Sequence, residues 1–162
     1  KILKALFSNH VYEEVAYEIY DLQNSHQNIG LGMMGELEKP MDELEFLALV
    51  KDKMQCGGIR HSALLGKKIQ KVAVLGGSGS FAIKNAIQAN VDVFLTADLK
   101  YHDFYQAENQ LVLADIGHFE SERYTKNYIV DFLKEKITNF APDLSQDRIV
   151  LSEENTNPVK YL

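Results

Sequence analysis

The order of apolar and polar positions along the chain reads as two blocks of secondary structure. In the first block, Ile2, Leu3, Leu6 and Phe7 share one face of a helix that ends near residue 9. Tyr12–Tyr20 (YEEVAYEIY) alternates and is rich in aromatic and β-branched residues, which predicts a strand. Asn24 to Asn28 reads as a polar turn. Ile29–Glu36 predicts a second strand, although Gly30, Gly32 and Gly35 weaken it unless another backbone or a ligand approaches closely. Pro40, Asp42, Leu44, Phe46, Leu47 and Val50 predict a helix with an acidic first turn. Cys56-Gly57-Gly58 ends it, and Ile59–Leu65 reads as a further strand. Helix, strand, strand, helix, strand is a βαββαβ ferredoxin-like unit without its first strand, and such a sheet has an unpaired edge.

The second block is built differently. Val72–Leu75 is a short apolar run followed by Gly-Gly-Ser-Gly-Ser at 76–80 and a helix through Ile83 and Ile87. Val91–Leu95 predicts the next strand, then Thr96-Ala97-Asp98 and a polar helix around His102–Glu108. Leu111–Ala114 predicts a third strand, ending in Asp115-Ile116-Gly117-His118. A long helix is expected from about Glu120 to Ile137, a loop at Pro142 and a last strand at Arg148–Leu151. Short apolar strands alternating with helices indicate a mostly parallel, covered sheet, so the fold class is α/β. The expected boundary divides residues 1–66 from residues 67–162.

Composition narrows the functional classes. Of 162 residues, 46% are hydrophobic and 25% charged, which excludes a disordered or fibrous chain. Lys+Arg 17 against Asp+Glu 23 gives a net charge of −6, and no basic stripe marks a nucleic-acid-binding face. No apolar run approaches the roughly 18–20 residues that cross a bilayer. The single cysteine, Cys56, excludes an internal disulfide and fits a reducing, cytoplasmic setting. The chain opens at Lys1 within a helical pattern and without Met, from which a longer parent polypeptide is expected.

Candidate chemistry gathers where the strands of an open α/β sheet end. His118 and Glu122 stand one helical turn apart, so imidazole and carboxylate face the same way and can reach one dication; an acidic helix start is the plainer reading. Asp98, Asp115 and Glu120 add negative charge nearby. Gly76, Gly77, Ser78 and Gly79 lie between a strand and a helix, where they either expose N–H groups to an anion or allow close packing; the pattern is neither a Walker loop nor GxGxxG. His102, four residues after Asp98, is a candidate base or a surface histidine. Cys56 has no basic partner in sequence and is not a candidate nucleophile.

In order, His10-Val11-Tyr12-Glu13-Glu14-Val15-Ala16-Tyr17, Gly30-Leu31-Gly32 with Gly35-Glu36-Leu37, Gly76-Gly77-Ser78-Gly79-Ser80, Thr96-Ala97-Asp98-Leu99-Lys100-Tyr101-His102-Asp103, Asp115-Ile116-Gly117-His118 with Glu122, and Asn155-Thr156-Asn157-Pro158 resemble the NIF-three-like family of GTP cyclohydrolase I type 2 homologues. Val11 and Ala97 stand where the family usually has Pro and Gly. The resemblance implies a two-lobed α/β protein with two divalent metal ions, Zn, Mn or Fe, in a cleft. It implies that residues 1–66 are an incomplete ferredoxin-like (PII/CutA-like) insert and residues 67–162 the second, metal-binding lobe. Of the family's ligands, His118 and Glu122 carry over, whereas the His-His pair and Asp of the first lobe have no counterpart in this chain. Asp98 and His102 become orienting or acid/base candidates, and Gly76, Gly77, Ser78 and Gly79 a border of the cleft that holds a substrate anion. The function implied is metal-dependent hydrolysis of a phosphate- or nucleotide-like small molecule by a homo-oligomer. Two ligands do not satisfy two dications, so weak or no metal binding is expected of this chain alone. The competing reading is a non-enzymatic, ring-forming scaffold that senses a metal or small ligand.

Overall fold

The structure is a computed structural model describing residues 1–20, 30–140 and 148–162. The chain forms two compact units, Lys1–Gly30 and Leu31–Leu162. In the first, Ile2–Asn9 is helix α1, and the Phe7 and Tyr17 rings meet edge to face at 5.3 Å. Residues 12–20 are irregular rather than the expected strand. An alternating pattern becomes a strand only against a ladder partner, and none pairs with this segment among the described residues. The expected turn at Asn24 to Asn28 and the loop at Pro142 lie outside the described residues.

The second unit holds strands β1 (Met33–Asp42), β2 (Arg60–His61), β3 (Lys68–Ser78), β4 (Val93–Ala97) and β5 (Val112–Asp115) in one sheet of order β1-β3-β4-β5-β2. β3, β4 and β5 are parallel, and β1 and β2 close the two edges antiparallel. The boundary expected after residue 66 therefore falls inside the span of a single sheet, with two of its strands before it and three after. β4 and β5 are buried along their whole length, as continuous apolar runs in a covered parallel sheet should be. Val93, Leu95, Val112 and Ala114 face Phe46, Leu47 and Val50 of helix α2 (Glu43–Met54). Phe94 and Leu113 face the opposite way, onto Ile83 and Ala86 of helix α3 (Ile83–Gln88).

Several boundaries move for identifiable reasons. β1 starts later than expected and runs through Pro40, which an edge strand tolerates where the register shifts between Glu36 and Met41. β2 is two residues rather than seven, because the N–H groups of Leu65 and Gly66 turn to the carboxylate of Glu43 (2.8 and 3.0 Å) instead of a ladder. The long helix expected from Glu120 is two helices, α4 (His118–Glu122) and α5 (Thr125–Phe140). No strand forms at Arg148–Leu151.

Candidate functional site

The carboxyl ends of β3, β4 and β5 deliver the site. β4 runs out into Asp98, held at φ 56°, and β5 into Asp115, Ile116 and Gly117 (φ 92°), after which α4 begins at His118. These turns bring Asp98 and His118 together: Nδ1 of His118 lies 2.6 Å from Oδ2 of Asp98. On the other side of the ring, Nε2 stands 3.4 Å from Oε2 of Glu122. A carboxylate on Nδ1 favours the Nδ1–H form of a neutral imidazole and leaves Nε2 as the free donor atom.

The glycines of β3 fit α4 against the sheet. The N–H of Gly77 donates to Oγ of Ser121 (2.8 Å), whose hydroxyl donates to the carbonyl of His118 (2.8 Å). Gly77 has φ 67°, and a Cβ there would stand 2.6 Å from Oε1 of Glu122. A Cβ on Gly79 would meet Oγ1 of buried Thr96 at 2.1 Å, while that hydroxyl donates to the Gly77 carbonyl. Gly76 faces the Ser121 carbonyl, and Ser78 pairs with Ala97 in the ladder. One of the amides expected to face an anion is thus taken by Ser121.

His102 is not part of this group. It lies exposed on a 3-10 segment, Tyr101–Ala107, with its ring 5.2 Å from that of Tyr101 and 6.4 Å from that of Tyr105. Buried Cys56 has its thiol pushed up to about 11, first by burial and then by the charge of Glu120, so it is a poor nucleophile.

Asp98, His118 and Glu122 open onto a cavity of about 840 Å³ whose wall also holds Arg60 and Asp115. Asp115 is 4% exposed and accepts from the N–H groups of Leu99 (2.9 Å) and Gly117 (3.0 Å) and from the Arg60 guanidinium. Glu120, equally buried, accepts from the Asn157 amide at 3.0 Å. The Tyr161 ring packs where a Cβ of Gly57 would stand, at 2.0 Å, which accounts for glycine after Cys56. Arg60 and Asn157 were not singled out for roles; Asp115 ending a strand was the available signal for the first. Among the described residues, no group of three or more His, Cys, Asp or Glu is arranged to hold a metal ion, so α4 offers a pair of donors rather than a full set.

The hydrogen bond that His118 donates to Asp98 raises the His118 pKa above the ordinary 6.5; burial opposes this, and the charges of Asp98 and Glu122 add to it. The pairing stabilises the fold fully below the ordinary value and loses that contribution as pH rises through the raised one. Both side chains are about half exposed, so the effect on stability is small. An NMR titration of the metal-free chain is expected to place His118 above 6.5, and Asp98→Asn to bring it down; an unmoved midpoint in that variant would refute the pairing.

Residues 4–158 match the family model described as Duf34/NIF3 (NGG1p interacting factor 3). The chain is 34% identical over 167 residues to the Bacillus subtilis protein named GTP cyclohydrolase 1 type 2 homolog, covering 99% of this chain and 42% of that protein. Its fold is similar to a crystal structure of a Bacillus cereus protein related to NIF3, with TM-score 0.74 and 32% identity over 99% of this chain and 43% of that one. A Staphylococcus aureus protein matches with TM-score 0.74 and 27% identity, over 99% of this chain and 45% of that one. The chain therefore spans under half the length of these relatives, and by its sequence and its fold together it belongs to the Duf34/NIF3 family.

Proposed function

We propose that this chain carries one half of a divalent-metal cleft, with His118 and Glu122 as its ligands, in a metal-dependent hydrolase of a phosphate- or nucleotide-like small molecule. The donor geometry of α4 carries this reading. Two donors about 2.1 Å from one cation at a near-tetrahedral angle stand ~3.4 Å apart. Nε2 of His118 and Oε2 of Glu122 are separated by 3.4 Å, a distance too long for a strong hydrogen bond. Asp98 holds the opposite ring nitrogen, as carboxylates do behind metal-bound histidines.

A dication bound there supplies Lewis acidity to a substrate oxygen and lowers the pKa of an adjacent water. The chain's own residues prepare for it. Asp98 sets the ring tautomer, Gly77 leaves room for the Glu122 carboxylate, and Ser121 ties α4 to β3. The remaining ligands of a two-metal set, with Zn, Mn or Fe, belong to the portion of the longer relatives that this chain does not span. His102 has no part in this reading, since its ring meets the exposed tyrosines Tyr101 and Tyr105 edge-on and tilted. The sheet of residues 31–162 is then the second lobe, and residues 1–30 the end of the PII/CutA-like insert. The relatives' name, GTP cyclohydrolase 1 type 2 homolog, supports the hydrolytic class.

A polypeptide of the relatives' full length that carries this chain is expected to bind two equivalents of metal and to hydrolyse a member of a phosphoester and nucleotide panel only when loaded. The 162-residue chain alone is expected to bind weakly by calorimetry. Absence of metal uptake by the longer polypeptide would sink the proposal. A second reading, an assembling scaffold without turnover, is favoured by one observation: α5 buries none of its residues and exposes Tyr128, Ile129, Phe132 and Leu133.

A further inference from the structure

We propose that the cavity recognises an N–H donor of its ligand, the cationic or neutral amino group of a small molecule, through the free Oε2 of Glu120. The proposal adds an N–H-bearing part to the substrate of the reading above, and rests on that reading only for taking this cavity as the substrate's. Three carboxylate side chains are buried among the described residues, those of Glu43, Asp115 and Glu120. Glu43 accepts from the N–H groups of Leu65 and Gly66, and Asp115 from those of Leu99 and Gly117 and from Arg60. Glu120 accepts from one neutral donor only, the Asn157 amide, on Oε1. No cation pairs with it, and its Oε2 makes no hydrogen bond, among the described residues. Nor does any fully enclosed side-chain N or O atom among those residues lack a partner, so Oε2 is not enclosed: it meets the cavity that Glu120 lines. A buried carboxylate with one oxygen unpaired is costly, and a donor from a ligand removes that cost.

The surroundings favour a donor. Oε2 occupies the place that a Cβ on Gly117 would need, and the Tyr161 hydroxyl, which makes no hydrogen bond among the described residues, stands 3.5 Å from that place. Asp98, Asp115 and Glu122 share the wall with Glu120. The cations of the same wall are engaged elsewhere. Arg60 donates to the Asp115 carboxylate and the Leu99 carbonyl, Arg123 to the Met54 carbonyl and Lys126 to the Ser152 carbonyl. A carbonyl or an anionic group placed on Oε2 meets another acceptor and is repelled. An N–H group is bonded there, the more strongly if it carries positive charge. Phe119, Ile129 and Val159 supply apolar wall for the rest of a small molecule.

The test uses the 162-residue chain without metal, since every residue named on the wall belongs to it. The probes are benzamidine, benzamide and benzoate, one shape with a cationic, a neutral and an anionic head group. In NMR titrations benzamidine is expected to bind tightest and benzoate weakest. Glu120→Gln, which retains an acceptor for Asn157, is expected to weaken benzamidine binding about tenfold to a hundredfold, the range for losing a charge-assisted hydrogen bond, and to leave benzoate no weaker. A second arm needs no variant. The Asn157 side-chain amide donates to the other oxygen of Glu120, so its signals are expected to move as benzamidine is added. Benzoate binding as tightly as benzamidine overturns the proposal, as does unchanged benzamidine affinity in Glu120→Gln or a bound probe that leaves the Asn157 amide signals in place. Benzamide matching benzamidine assigns the site to a neutral amino group, and benzamide falling well below it assigns the site to a cationic one. The metal reading is tested apart: a polypeptide of the relatives' length that takes up no metal refutes that reading and leaves the order of the probes as it is.

Discussion

In a polypeptide of the relatives' length, His118→Ala is expected to lower metal affinity by more than about a hundredfold and to take metal-dependent turnover to background. Removing a partner that merely orients a ligand costs about 10–100-fold, so removing the ligand itself costs more. His118 is the first residue of α4, and its Nε2 is the atom that Asp98 leaves available. Alanine removes that donor and turns the Asp98 carboxylate loose in the cavity. The fold should survive the change, because the side chain is 53% exposed and such substitutions move stability by about 0.5 kcal/mol or less. Elemental analysis, a metal titration and the substrate panel read the result together. A variant that keeps its metal refutes His118 as a ligand. A variant that loses metal and assembly, from a parent in which no substrate is ever turned over, favours the scaffold.

The parallel core was legible because β4 and β5 are buried on both faces and so read as unbroken apolar runs. The pairing of His118 with Glu122 was legible because helical spacing is local. The contact between Asp98 and His118 was not, since twenty residues separate them and only the parallel pairing of β4 with β5 brings their strand ends side by side. His102 shows the converse: four residues after Asp98, it lies on a 3-10 segment with its ring against Tyr101 and Tyr105. Tyr12–Tyr20 had the composition of a strand but found no ladder among the described residues. Arg60 was hidden for a further reason. A single arginine in a polar stretch carries no pattern, and its partner Asp115 is fifty-five residues away.

The same pair supplies a large expected effect on stability. Asp115→Ala is expected to destabilise the chain by about 3 kcal/mol, because it orphans the buried N–H of Leu99 and the part-buried N–H of Gly117 at roughly 1–3 kcal/mol each. In a domain of this size that lowers the melting temperature by about 10 °C. Arg60→Gln is expected to cost under about 1 kcal/mol, since the guanidinium side is 62% exposed and water replaces what it loses. Asp115→Asn keeps one acceptor oxygen and is expected to fall between the two. Urea unfolding of the three variants, followed by circular dichroism at neutral pH, measures the order directly. The order matters because it tells whether the guanidinium or the backbone N–H groups make Asp115 an anchor. If Arg60→Gln proves as costly as Asp115→Ala, the guanidinium is a structural pin between β2 and β5. If it is nearly silent in unfolding, Asp115 holds the ends of β4 and β5 through the Leu99 and Gly117 N–H groups.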